Sequence, residues 1–236
     1  MQKIANPPRH IALIPDGNRR WSRLNRLRLL QGYSMGINKF IEFATWAKEY
    51  GVKTISVWAL STENLKNRTS TEMKVLFGLY MKAAKDPKIL KRLVQNRARL
   101  RIIGDRSHLP IKLRGALADI ERKTRNYKDL TINLLLNYGG REDIVHSMQQ
   151  IASDVKRNRN VKVDEEYIKE HLRTSSLPDV DLVVRTSGEM RLSGLLPWQA
   201  AYSELYFAKK YWPDFDKDDF RKAISTFSRR QRRFGK

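Results

Sequence analysis

The residues Ile14–Trp21, IPDGNRRW, set an aspartate, a glycine and an asparagine directly before two arginines and a tryptophan. A glycine turn lets backbone N–H groups approach an anion closely. Arg19 and Arg20 open a run of five arginines within ten residues that continues through Arg23, Arg26 and Arg28. Asp16 works against that run, because a carboxylate repels phosphate unless a cation lies between them. The pairing therefore suggests Mg2+, a hard ion that takes oxygen ligands from carboxylate, water and phosphate. Two further clusters carry chemistry. One is Ser61, Thr62, Glu63 and Asn64; the other is RTSGEMRLS, where Arg185 and Arg191 stand beside Ser187 and Ser193. Two guanidinium forks with hydroxyl donors suit a second diphosphate. Two anion sites with one metal carboxylate point to a reaction in which diphosphate leaves. Each cluster also has a plainer meaning: Asp-Gly-Asn is a common turn, an arginine run a solvated surface, and Arg185 a partner for Glu189 or Glu204.

The elements that position these clusters are strands. Residues 10–15 form an apolar run that stops at Pro15, KTISVWAL ends at Leu60, and DVDLVVR ends at Arg185. Between them the pattern predicts a helix over Ile37–Gly51, a long helix over 70–96 interrupted at Pro87, a strand in ARLRIIGD and a helix in LPIKLRGALADIERKT. A strand in LTINLLLNYGG, a helix in EDIVHSMQQIASDV and a C-terminal helix from Asp218 follow. Residues 21–28 are too basic for a core. Strand and helix alternate throughout, with no repeat and no linker, so the expected fold is a single α/β domain over residues 1–236. Its mostly parallel central sheet is flanked by helices. The strand ends of such a sheet lie on one edge, where the three clusters could converge on one cleft.

Composition narrows the class. Forty-seven Lys and Arg against 25 Asp and Glu give a net charge of +22, a field that attracts polyanions: nucleic acid, an anionic membrane face or diphosphates. The absence of cysteine excludes disulfides, thiolate catalysis and Cys-bound zinc, and the four scattered histidines form no ligand pattern. No Walker loop and no GxGxxG after a strand is present. The N-terminus lacks a signal-peptide pattern and no run is long enough to span a membrane. The expected location is cytoplasmic, with peripheral membrane contact.

The ordered segments HIALIPDGNRRW, WALSTENL, LRIIGD, LNYGGREDI, DLVVRTSGEMRLSGLLPWQAAYSELYF, WPDF and RRFG cover nearly the whole chain and resemble the cis-prenyltransferases, the undecaprenyl and dehydrodolichyl diphosphate synthase family. RTSGEMRLS looks most like archaeal members. The resemblance implies Mg2+-dependent condensation of isopentenyl diphosphate with an allylic prenyl diphosphate, giving a Z-polyprenyl diphosphate, precursor of a glycosyl carrier lipid. By motif match Asp16 would govern the metal-bound diphosphate, with Glu204 as a second metal carboxylate. Gly17, Asn18, Arg19 and Arg20 would hold the allylic diphosphate beside Trp21. Ser61, Thr62 and Glu63 would position substrate, and Asn64 would accept the proton. Arg185, Arg191, Leu192 and Ser193 fall on the isopentenyl diphosphate motif. Arg233 and Gly235 match the terminal Arg-x-Gly that family dimers insert into the partner's site. The long helices and LTINLLLN would wall a dry tunnel for the growing chain.

Three departures touch diphosphate handling. Tyr33 follows Gly32 where the family has histidine, Leu29 replaces an arginine with Arg28 adjacent, and Asn67 replaces another with Arg68 next in line. Losing one charge-assisted hydrogen bond costs about 1.5–3 kcal/mol. They leave room for a non-head-to-tail prenyltransferase, or for a subunit of a heterodimer rather than a homodimer. A nucleic-acid-binding protein is disfavoured because no recognition motif accompanies the charge.

Overall fold

A computed structural model describes residues 6–230 of the chain. The first strand, β1 (His10–Ile14), is followed by two helices, α1 (Asn18–Leu24) and α2 (Leu29–Glu49). Next come β2 (Thr54–Ser61) and three helices: α3 (Thr62–Asn67), α4 (Ser70–Lys85) and α5 (Pro87–Gln95). The chain continues through β3 (Ala98–Ile103), α6 (Ile111–Thr124), β4 (Leu130–Tyr138), α7 (Gly140–Arg157) and α8 (Glu165–His171). It closes with β5 (Leu182–Arg185), β6 (Glu204–Phe207), a 3-10 turn at Trp212–Asp214 and α9 (Lys217–Arg229).

The six strands form one sheet in the order β3-β4-β2-β1-β5-β6, and every pairing is parallel. A parallel sheet covered on both faces needs apolar residues on both, which is why HIALI and LVVR read as continuous runs. Ile11, Leu13, Ile55, Val57, Ile132 and Val184 pack under α2 and α9. Ala12, Ile14, Leu135 and Val183 face the other way, against Leu177 and Leu195. Phe43 from α2 meets Trp212 at 5.7 Å and Phe220 from α9 at 5.0 Å between ring centres, both edge-on.

The fold differs from the expectation where charge hid a pattern. The arginine-rich stretch forms α1 and the start of α2, which begins at Leu29 rather than Ile37; the buried Ser22, Gly32 and Gly36 let the two helices approach. The interruption expected at Pro87 is a full break into two helices, because Asp86 caps a new one (its side chain accepts from the Lys88 N–H, 2.8 Å) and Pro87 opens it. The edge strand β6 was hidden within the SELYF motif. Among the described residues no helix is long and apolar enough to cross a membrane.

One polar row crosses the apolar sheet. Buried His10 donates through Nδ1 to the Pro178 carbonyl (2.9 Å) and is bonded through Nε2 to Ser56 Oγ (2.8 Å), which also accepts from Asn133 Nδ2 (3.2 Å). Burial lowers the His10 pKa from its ordinary 6.5, so below that pH the unfolded chain binds a proton that the folded protein refuses. This contribution to stability is fully present above about pH 6.5 and is lost as pH falls, with a slope of at most about 1.4 kcal/mol per pH unit. Denaturant midpoints measured from pH 7.5 to 5 should fall less steeply for His10→Asn than for the natural sequence.

Candidate active site

The ends of β1, β2, β4 and β5 open into a single cavity of about 1060 Å³. Its head is lined by Asp16, Gly17, Asn18, Arg19, Arg20, Ser61, Glu63, Asn64, Arg185 and Ser193, so the three clusters do share one cleft. Its body continues between the sheet and α2, α4, α5 and α6, past Phe40, Ile41, Ala44, Leu76, Leu79, Leu117 and Ile132. It reaches Ala98 and Leu130, where β3 and β4 begin. A charged mouth thus leads into an apolar tube that runs the depth of the sheet.

Asp16 stands at the centre of the head. Its Oδ2 accepts from Arg185 Nη2 at 2.9 Å; its Oδ1 accepts from the Gly17 N–H at 2.7 Å and lies 3.4 Å from Arg20 Nη2. Two further bonds hold its backbone carbonyl, from Thr186 Oγ1 (2.8 Å) and the Trp212 N–H (3.0 Å). The Arg185 side chain is only 5% exposed, and its Nη1 donates to Ser193 Oγ (2.8 Å) and the Arg191 carbonyl (2.6 Å). Arg185 therefore pairs with Asp16 and with neither glutamate considered from the sequence.

Glu189 instead accepts from Arg20 (2.7 Å) and Arg191 (2.5 Å), and these bonds hold its carboxyl below the usual range. Arg20 also lies over the Tyr211 ring, 5.7 Å from its centre. The loop after β5 is strained: Ser187 and Ser193 have φ of 79° and 53°, a region non-glycine residues seldom adopt. Buried Ser187 Oγ and Asn18 Oδ1 have no hydrogen-bond partner in the protein.

The remaining expected residues divide. Tyr33 and Arg68 line the head, with the Arg68 guanidinium 5.6 Å above the Tyr33 ring. The Tyr33 hydroxyl is buried with no partner in the protein, and burial raises its pKa, so it remains a donor. Ser61 caps α3 by accepting from the Asn64 N–H at 3.0 Å, which fixes the direct passage from β2 into α3.

Thr62 packs against Gly139 instead of lining the cavity. Trp21 turns away, its Nε1 donating to Asp214 at 2.7 Å while its ring lines a separate surface groove. Arg191 is exposed and tied to Glu189, and Leu192 packs on the apolar cluster beneath β5. Glu204 is not brought to Asp16 within one chain. It begins β6, paired with Leu182 three residues before Arg185, and bonds Arg230 (2.5 Å). Arg233 and Gly235 lie outside the described residues.

Sequence reasoning missed Arg141. With Gly140 it lines the head, where the Gly140 N–H donates to the Gly194 carbonyl (3.0 Å) and joins the start of α7, just past β4, to the loop that follows β5. The signal was available, since LNYGGR is also a strand end followed by glycine and arginine. Five arginines at the head (Arg19, Arg20, Arg68, Arg141, Arg185) outnumber the carboxylates Asp16 and Glu63, so the mouth favours anions. Among the described residues no group of three or more His, Asp or Glu side chains is placed to hold a metal ion.

Comparison with known proteins decides the family. The prenyltransferase family model described as "Putative undecaprenyl diphosphate synthase" matches residues 14–235. The chain belongs to the undecaprenyl diphosphate synthase family. An isoprenyl transferase of Thermotoga maritima is 40% identical over 97% of both chains. A tritrans,polycis-undecaprenyl-diphosphate synthase (geranylgeranyl-diphosphate specific) of Methanopyrus kandleri is 41% identical over 99% of this chain and 87% of its own. Lavandulyl diphosphate synthase of Lavandula x intermedia, solved with dimethylallyl diphosphate, superposes with a TM-score of 0.92 at 34% identity, covering 98% of this chain and 99% of its own. This family member is a prenyltransferase of the polyprenyl diphosphate synthase class, with the single-domain parallel α/β fold expected from its strand and helix pattern.

The Gly17 turn is a tight point of the mouth. Its φ is 99°, and a Cβ there would lie 2.5 Å from Tyr211 Cδ1 and 3.1 Å from Ser187 Cβ. Gly17→Ala is expected to lower folding stability by about 1–3 kcal/mol, read as a shift in the urea midpoint.

Proposed function

We propose that the protein condenses isopentenyl diphosphate with an allylic prenyl diphosphate, with Mg2+, to give a Z-polyprenyl diphosphate that serves as a glycosyl carrier lipid precursor. The observation that carries this reading is the cavity itself: an arginine-rich head at the strand ends continuous with an apolar body. A diphosphate with a long hydrocarbon tail has that same division of polarity.

The donor set fits an ion delivered by the substrate. Asp16 supplies one carboxylate at the anion site, and Mg2+ is commonly held by one or two carboxylates together with substrate phosphates. When bound, the ion would offset the negative charge of the departing diphosphate. Gly17, Asn18, Arg19 and Arg20 would hold the allylic diphosphate, with the Tyr33 hydroxyl and Arg68 donating from the side. Arg185 and Ser193, with Arg191 at the rim, would hold isopentenyl diphosphate. The carbon–oxygen bond of the allylic substrate breaks, diphosphate leaves with the bonding electrons, and the terminal alkene carbon of isopentenyl diphosphate bonds to the allylic carbon. The attack leaves a cation at C3 of isopentenyl diphosphate, a proton leaves its C2 carbon as the Z C2–C3 double bond forms, and Asn64 is the residue assigned to accept it. The apolar body excludes water from the developing cation and takes up the lengthening tail. A dimer in which Arg233 and Gly235 complete the partner's site remains part of this proposal, as does cytoplasmic residence of a protein whose product is a membrane lipid.

The superposition on lavandulyl diphosphate synthase favours a second reading, an irregular coupling of two allylic units. One assay separates the two. The protein is incubated with Mg2+, radiolabelled isopentenyl diphosphate and, separately, geranyl, farnesyl and geranylgeranyl diphosphates; a further reaction contains dimethylallyl diphosphate alone. A ladder of products after dephosphorylation supports elongation and reveals primer and length together. A branched product from dimethylallyl diphosphate alone replaces elongation with the irregular reaction. No product from a folded sample that still binds diphosphate leaves a subunit of a heteromeric enzyme. Asp16→Ala should abolish turnover, and activity within a few-fold of the natural sequence would remove Asp16 from the metal site. Tyr33→Phe, which deletes one donor, should lower kcat/KM for the allylic substrate about ten- to a hundredfold and leave the isopentenyl diphosphate KM unchanged; parity for both substrates would assign Tyr33 to packing alone.

A further inference from the structure

The corner where α1 passes into α2 presents a feature the reaction does not use. Leu24, Leu30 and Met35 are 68%, 49% and 44% exposed, and a groove between this corner and α4 is lined by Trp21, Leu27, Leu30, Met35 and Val75. Exposed apolar side chains grouped this way mark an interaction surface. Cations surround them: Arg23, Arg26 and Arg28 on the corner, Lys74 and Lys82 on α4, all exposed. The acids close by are already engaged, Glu72 with Arg19 at 3.4 Å and Asp214 with the Trp21 Nε1–H at 2.7 Å. Leu79 lines both this groove and the main cavity, so a single side chain's thickness separates them at that point.

We propose that this corner docks the protein on an anionic phospholipid surface. Leu24, Leu30 and Met35 enter the interface while the arginines lie over lipid phosphates. Apolar insertion and a polybasic rim are the two signals that together give stable peripheral binding, each being weak alone. A protein partner of matching shape would need acidic residues around an apolar ridge; a bilayer supplies negative charge and hydrocarbon over any outline. The test requires no substrate, so its outcome is independent of the reaction assigned above.

The full chain is sedimented with vesicles of phosphatidylglycerol and phosphatidylcholine, and with phosphatidylcholine alone, at low and high salt. Binding is expected to the anionic vesicles only and to weaken with salt. The double variant Leu24→Asp/Leu30→Asp should bind about tenfold or more weakly with an unchanged thermal midpoint. Ile111→Asp/Val163→Asp, which changes net charge equally at exposed apolar positions elsewhere, should bind like the natural sequence. Equal losses in both variants would reduce the effect to net charge and overturn the docking corner, as would absence of binding to anionic vesicles. A fall in sedimentation-velocity mass of the Leu24/Leu30 variant alone would overturn it in favour of a contact between two copies of the chain.

Discussion

The contact between Asp16 and Arg185 organises the mouth of this prenyltransferase. β1 and β5 are neighbours with Ile14 paired to Arg185, so a carboxylate two residues beyond one strand meets a guanidinium at the end of the next. The guanidinium is almost wholly buried, and a buried charge without compensation costs several kcal/mol. Asp16, the Ser193 hydroxyl and the Arg191 carbonyl supply that compensation. Each of those partners lies on a loop, and satisfying Arg185 therefore fixes two loops relative to one another. Thr186 and Trp212 complete the arrangement by holding the Asp16 carbonyl.

That constraint also explains why strained backbone persists beside the site. Ser187 and Ser193 keep positive φ although each costs of order 1–3 kcal/mol. The Ser187 N–H donates to the Lys210 carbonyl at 2.7 Å, and Ser193 accepts from Arg185. The surrounding bonds over-determine the loop, and Ser193 is held at the head on Arg185 before a ligand arrives. Preorganised donors need not reorganise when charge develops. Behind the head, the walls from α2, α4 and α6 line the body with apolar side chains, a region of low dielectric.

Much of this was legible in the amino-acid sequence. Strands with apolar residues on both faces had to lie in a covered parallel sheet, and clusters of Asp, Gly, Asn, Ser and Arg at their ends had to share one edge. HIALIPDGNRRW and RTSGEMRLS carried both the chemistry and the family resemblance. Local rules were weaker where the chain was highly charged, because helix α1 buries little beyond Ser22 and its periodicity is masked by arginines. The short strand β6 escaped for a related reason: its four residues are all half-buried and give no clear alternation.

The sequence by itself determined the class of fold, the charged strand ends and the kind of ligand they suit, since each depends on residue type and short-range period. Tertiary structure alone decided the partners. It joined Arg185 to Asp16 across 169 residues, gave Glu189 to Arg20 and Arg191, and turned Trp21 to the outer groove. It also set Glu204 at the far end of β6, brought Arg141 to the head and left the Tyr33 hydroxyl buried without a partner in the protein. The physical reason is that strand order and register, which no local pattern carries, choose which distant side chains meet when a buried charge or donor must find a partner.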